Sequence, residues 1–140
     1  MKRILYLAVL CTLCFLLPAN VQAKKKYPVI KFEQTTVDLG TFAQDDAVRK
    51  CTFRFSNVGQ APLVLNYVHT SCGCTVADYP KDPISPGGRG VITVTYDGSN
   101  KMPGRFKKGI QIFSNCKTDL ATVFITGNMT ALTREAKEKR

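Results

Sequence analysis

Between Tyr27 and Met129 the hydrophobic positions tend to fall on every second residue, and no stretch carries an apolar stripe at helical spacing. Such alternation predicts short strands with one face buried and one wetted, because successive side chains of an extended chain point to opposite sides. Ile30 and Phe32 flank Lys31, and Val37 and Leu39 repeat the pattern after an interruption, so a broken first strand is expected. Cys51, Phe53 and Phe55 share one face of a second strand, while Thr52, Arg54 and Ser56 share the other. Asn57 to Ala61 supplies turn residues before a third strand at Leu63 to Val68. Tyr79 to Gly90 holds three prolines and three glycines, each unfavourable inside a strand, and reads as a loop. Ile92, Val94 and Tyr96 then alternate with Thr93 and Thr95, and Phe106 to Ser114 and Leu120 to Met129 form the last two strands. About seven strands at this spacing predict an all-β domain, an immunoglobulin-like β-sandwich over residues 29–131. A closed barrel of similar strands is the competing architecture.

The pattern changes at the two ends. Lys2 and Arg3 precede an apolar run from Ile4 to Leu17, shorter than the ~18 residues that a membrane-spanning helix needs. Val21, Gln22 and Ala23 follow with the small side chains of a cleavage site. Residues 1–23 therefore read as a signal peptide cut before Lys24, which places the protein in the periplasm or outside the cell without a transmembrane anchor. Cys11 and Cys14 lie inside the apolar run, but each follows a leucine where a lipid-attachment site requires Gly, Ala or Ser. Residues 24–28 form a basic N-terminal segment and residues 132–140 a basic C-terminal tail. These ends carry most of the formal charge of +10; from Tyr27 to Thr133 there are 11 basic and 8 acidic side chains. No basic stripe interleaved with aromatics occurs there, which argues against nucleic-acid recognition. A chain of this length builds one core, too little for a multidomain enzyme.

Several segments then occur in a telling order: CTFRFSNVG at Cys51 to Gly59, PLVL at Pro62 to Leu65, SCGCT at Ser71 to Thr75, PISPG at Pro83 to Gly87, VITVTYD at Val91 to Asp97, and ITG at Ile125 to Gly127. Together with the Ser-Asn ending of Gly104 to Asn115, they resemble the bacterial exported family known as domain of unknown function 1573. The resemblance spans almost the whole chain after the signal segment. It implies an immunoglobulin-like fold similar to that of major sperm protein modules, an exported address and a characteristic cysteine pair. It brings no activity or ligand with it, and fold-level analogy supplies none.

Enzyme templates lack their parts. His69 is the sole histidine, so a two-His zinc motif is excluded and a Ser-His-acid triad would have to be built around that one residue. Gly87, Gly88 and Gly90 lack the following Lys-Ser/Thr of a phosphate loop and read as turn residues. Asp45 and Asp46 are adjacent, a poor geometry for paired acid and base work, and read as a solvated turn. Asn128 and Thr130 match a glycosylation sequon, which is given no weight because the family resembled is bacterial. Tyr96, Phe113 and Phe124 suggest either an aromatic platform or ordinary same-face packing, and packing is the expectation. The sequence thus predicts a non-catalytic module without a cofactor, whose partner is a protein or an envelope component.

Four cysteines follow the signal segment: Cys51, Cys72, Cys74 and Cys116. An oxidising compartment favours their pairing. In an immunoglobulin-like order Cys51 and Cys116 fall at opposite ends of strands about 23 Å long, against the ~7 Å limit for bridged Cα atoms. Cys51 is expected at the level of Cys72 and Cys74, which makes these three the disulfide or redox candidates, and Cys116 is left as a free thiol. Positions two apart in extended chain have Cα atoms about 6.6 Å apart, near the outer limit for a disulfide. A positive φ at Gly73 closes that gap into a small ring. Three uses of the pair stand side by side: a structural clamp, redox-active thiols open to exchange, and, with His69, a soft donor set for Cu(I) or Zn(II).

Overall fold

The computed structural model describes residues 25–132; the signal segment 1–23, Lys24 and the basic tail apart from Leu132 lie outside the described residues. Two four-stranded sheets pack face to face. The strands are β1 (Ile30–Phe32), β2 (Thr36–Ala43), β3 (Val48–Asn57), β4 (Leu65–Thr70), β5 (Thr75–Asp78), β6 (Arg89–Asp97), β7 (Gly104–Ser114) and β8 (Leu120–Thr130). One sheet has the order β1-β3-β6-β5 and the other β2-β8-β7-β4. The domain is an immunoglobulin-like β-sandwich.

The interruption read between Phe32 and Val37 is the point where the chain changes sheet. β1 pairs antiparallel with β3, with Phe32 opposite Phe55, while β2 pairs parallel with β8, with Val37 opposite Ile125. Splitting the first strand in this way, together with the short β5, brings the count to eight. Alternation then fills the space between the sheets: Phe53, Phe55, Ile92, Val94 and Tyr96 from one meet Leu65, Ile110, Ile112, Val123, Ile125 and Met129 from the other, all buried. Tyr96 stacks on Phe106 with ring centroids 4.5 Å apart and meets Phe42 edge-on.

Two readings of the sequence need correction. Gly90 is not in the loop: it lies in β6 opposite Phe55, and a Cβ there would run into the Phe55 ring. Glycine sits in that strand because an aromatic ring covers its place. Gly87, by contrast, is the turn residue expected, with φ at 78°. The second correction is β5, a short strand that directly follows the cysteines and pairs antiparallel with β6. Asp46 behaves as the solvated turn predicts. It lies in a single 3-10 turn, Gln44–Asp46, and accepts a hydrogen bond from Arg49 at 2.9 Å.

Candidate functional site

The chain must cross from one sheet to the other between β4, an edge of the second sheet, and β5, an edge of the first. Ser71 to Cys74 makes that crossing, so the Cys-Gly-Cys segment sits where the edges of the two sheets meet. The Ser71 N–H donates to the Gly109 carbonyl at 3.3 Å, and the Thr75 N–H to the Cys72 carbonyl at 3.2 Å, which closes a tight turn. The Asp97 N–H donates to the Cys74 carbonyl at 2.8 Å, tying the far side of the turn to β6. From within, the Thr70 hydroxyl lies 2.9 Å from the Thr75 carbonyl and 3.3 Å from that of Cys72.

Cys72 and Cys74 are joined by a disulfide with Cα atoms 5.2 Å apart. The turn alone brings them that close. Gly73 does not adopt the positive φ expected of it, and a Cβ added there meets nothing. Cys72 is half-buried and Cys74 is 7% exposed. Beneath them the buried hydroxyl of Thr75 lies 3.5 Å from the Cys72 sulfur and 3.8 Å from that of Cys74. A bridged sulfur carries no proton, so the hydroxyl is the donor. The alternation rules point to neither Thr70 nor Thr75 as a partner of the cysteines; an ordinary strand threonine gives no such signal.

The other candidates fall elsewhere. Cys51 is a free thiol on β3 opposite Val94, facing the core, and burial pushes its pKa up from the ordinary thiol value. The Cys74 carbonyl binds Asp97, whose register partner is Val48. Cys51 is thus three residues further along β3, roughly 10 Å, and two strands across. Cys116 is free and half-buried just after β7. His69 is on the outer, exposed face of β4, whereas Cys72 packs against the core. The three proposed donors are not gathered into one set, and among the described residues no group of three or more His, Cys, Asp or Glu side chains stands ready to hold a metal ion.

His69 instead belongs to a surface that the sequence only hinted at. On the outer face of the second sheet, Tyr67 stacks on Phe113 with centroids 4.2 Å apart and an interplanar angle of 11°, and Tyr67 remains 50% exposed. One register step along, a groove of about 260 Å³ opens over Gly109, walled by His69, Ser71, Gln111, Thr122 and Phe124. The Lys107 ammonium stands 4.2 Å above the Phe124 ring. Gly109 leaves the depression by contributing no side chain between β4 and β8. Phe113 and Phe124 thus pack on the solvent face, and Tyr96 in the core. The signal available in the sequence was the phase of the two phenylalanines: each sits between two buried residues, at a position otherwise polar.

The profile of the family described as protein of unknown function (DUF1573) matches residues 30–129. The chain belongs to this family. No curated protein matches the chain in sequence. Among solved structures, a protein of unknown function from Porphyromonas gingivalis W83 shares 22% identity at a TM-score of 0.65, over 78% of this chain and 51% of that one. The DUF1573 chain thus spans about half the length of that relative. The ASH / PapD-like domain of human CEP192 is similar at a TM-score of 0.62 and 6% identity, over 82% of this chain and 94% of the other. The periplasmic chaperone SfaE gives a TM-score of 0.55 at 8% identity, over 75% and 60%. At such identities the likeness of this DUF1573 domain to its neighbours is one of fold.

Proposed function

We propose that this chain is an exported, non-catalytic β-sandwich module that binds a protein or an envelope component on the outer face of its second sheet. The observation that carries the reading is the half-exposed Tyr67 ring stacked on Phe113 beside the groove over Gly109. An aromatic face next to hydroxyl, amide and imidazole groups offers apolar contact and directed hydrogen bonds together, the combination that recognition surfaces use. The closed Cys72–Cys74 bridge lies in the turn that leads out of β4, just past His69. Support for export comes from the leader-like N-terminus and from the disulfide, which an oxidising compartment favours. A periplasmic chaperone of the same fold supports a protein partner. Among the described residues no helix is long and apolar enough to cross a membrane.

The test is photocrosslinking in the host, with a photoreactive residue replacing Tyr67 or Gln111 and, as control, Val76, which is exposed on the other sheet. A discrete adduct from the first two and none from Val76 is the expected result. Equal labelling from all three, or none, sinks the reading. Export is checked in the same cells: the mature chain should begin at Lys24 by intact mass, and a species that keeps Met1 contradicts it.

A further inference from the structure

We infer that the Cys72–Cys74 bridge is a thiol–disulfide exchange site that accepts two electrons from a dithiol. This goes beyond the binding reading and does not depend on it. Four observations meet at the bridge. The cysteines are two positions apart, and the chain entropy that a cross-link removes grows with the loop it closes, so this bridge restrains the unfolded chain less than almost any other. The turn keeps its own frame without it, through the bonds of Ser71 to Gly109, Thr75 to Cys72, Asp97 to Cys74 and Thr70 to Thr75. Opening the bridge therefore costs little structure. The two cysteines are also unequally exposed: Cys72 is half-buried, while Cys74 is 7% exposed. Finally, the Thr75 hydroxyl lies within hydrogen-bond reach of both, and a cavity of about 140 Å³ beside Gly73 and Cys74 is lined by Asn100, Lys101 and Asp97.

These features order the chemistry. A thiolate of the incoming dithiol attacks the Cys72 sulfur; a new S–S bond forms, the Cys72–Cys74 bond breaks, and its electron pair leaves on Cys74 as a thiolate. The Thr75 hydroxyl turns its proton to that thiolate, and the Lys101 ammonium at the cavity wall favours the same charge, set against Asp97. The second thiolate of the dithiol then attacks its own sulfur in the mixed disulfide and releases Cys72 as a thiolate. The dithiol departs as a disulfide, and two electrons and, after protonation from solvent, two protons have passed to the protein pair.

The experiment uses the protein purified without reductant, held folded in glutathione buffers of graded ratio, with dithiothreitol at low concentration as the dithiol probe. Acid quenching, alkylation and peptide mapping follow each sulfur, and circular dichroism follows the fold. The expected result is opening within the glutathione range while the fold persists, with the first mixed disulfide on Cys72. Thr75→Val should slow reduction by dithiothreitol roughly tenfold, the worth of a hydrogen bond to a charged sulfur, and Thr75→Ser should restore it. A bridge that opens only in parallel with unfolding across a urea series overturns the inference. So does first attack shared equally between Cys72 and Cys74. Should Thr75→Val fail to fold, the site of first attack in the unaltered protein decides.

Discussion

Asn57 is fully buried at the end of β3, and its amide is bonded on every side. Its oxygen accepts from the Val29 N–H at 3.3 Å and the Gly59 N–H at 3.0 Å, and its nitrogen donates to the Ala61 and Ile84 carbonyls at 2.8 and 2.9 Å. One side chain thus ties the N-terminal segment, its own turn and the segment around Ile84 together. Asn57→Ala strands two donors and the Ala61 acceptor where water reaches poorly, while the Ile84 carbonyl keeps its bond from the Leu63 N–H, and should cost about 2–4 kcal/mol in urea melts. A loss below about half a kcal/mol would show that water takes over these bonds. The sequence presented Asn57 as the start of a turn; it is the last residue of β3, and its partner at Ile84 is distant along the chain and has no local signature. The two neighbours Phe53 and Arg54 were legible outright from alternation. Phe53 is 0% exposed and Arg54 lies on the solvent face, so Phe53→Ala should cost about 3–5 kcal/mol and Arg54→Ala about half a kcal/mol or less. The reverse order of damage would refute the register of β3 against β6.

Elements show where pattern reading succeeds and where it stops. The long strands β3, β6, β7 and β8 are legible because each runs through several alternations, and even the change of sheet between β1 and β2 left its trace as a break in phase. β5 did not, for four residues beginning at a cysteine turn carry too few alternations to stand out, and their pairing comes from β6. Glycines divide on similar grounds. At Gly73 the residue type suggested a special backbone, yet the turn needs none. Gly73→Ala should therefore fold and still form the Cys72–Cys74 bridge, seen as an unchanged number of alkylatable thiols without reductant; two extra thiols would mean that the turn does require glycine. Gly90→Ala should behave oppositely. The new methyl meets the Phe55 ring and the Ile84 side chain in a packed core, and overpacking of this kind costs about 1–3 kcal/mol.

For the whole molecule, the distribution of titratable groups sets the pH range over which the sandwich holds. The cysteine pair was legible as a unit because its spacing is local, but the environment that gives each sulfur its role belongs to the assembled sheets, and the same is true of the Cys51 thiol. Burial raises the Cys51 thiol, and burial followed by the neighbouring Asp97 charge raises the Tyr96 phenol. In the unfolded chain these groups ionise near their ordinary values of 9.0 and 10.0, while the folded protein still holds both protons. Above that point the folded state binds more protons than the unfolded one, so stability falls as pH rises. Their contribution is fully present below about pH 9 and is lost as pH climbs through the raised folded values. On the acid side Asp46, bonded to Arg49, and Asp97, bonded to Ser99, are both lowered from 3.8; what they add is present above that value and fades as pH falls through the lowered ones. Both carboxylates are exposed, so the acid limb should be shallow. Urea midpoints measured from pH 3 to 11 would show it. Cys51→Ala should move the onset of the alkaline decline up toward the ionisation of tyrosine, and an unchanged onset in that variant would mean that Cys51 is not the buried thiol that faces Val94 and the core.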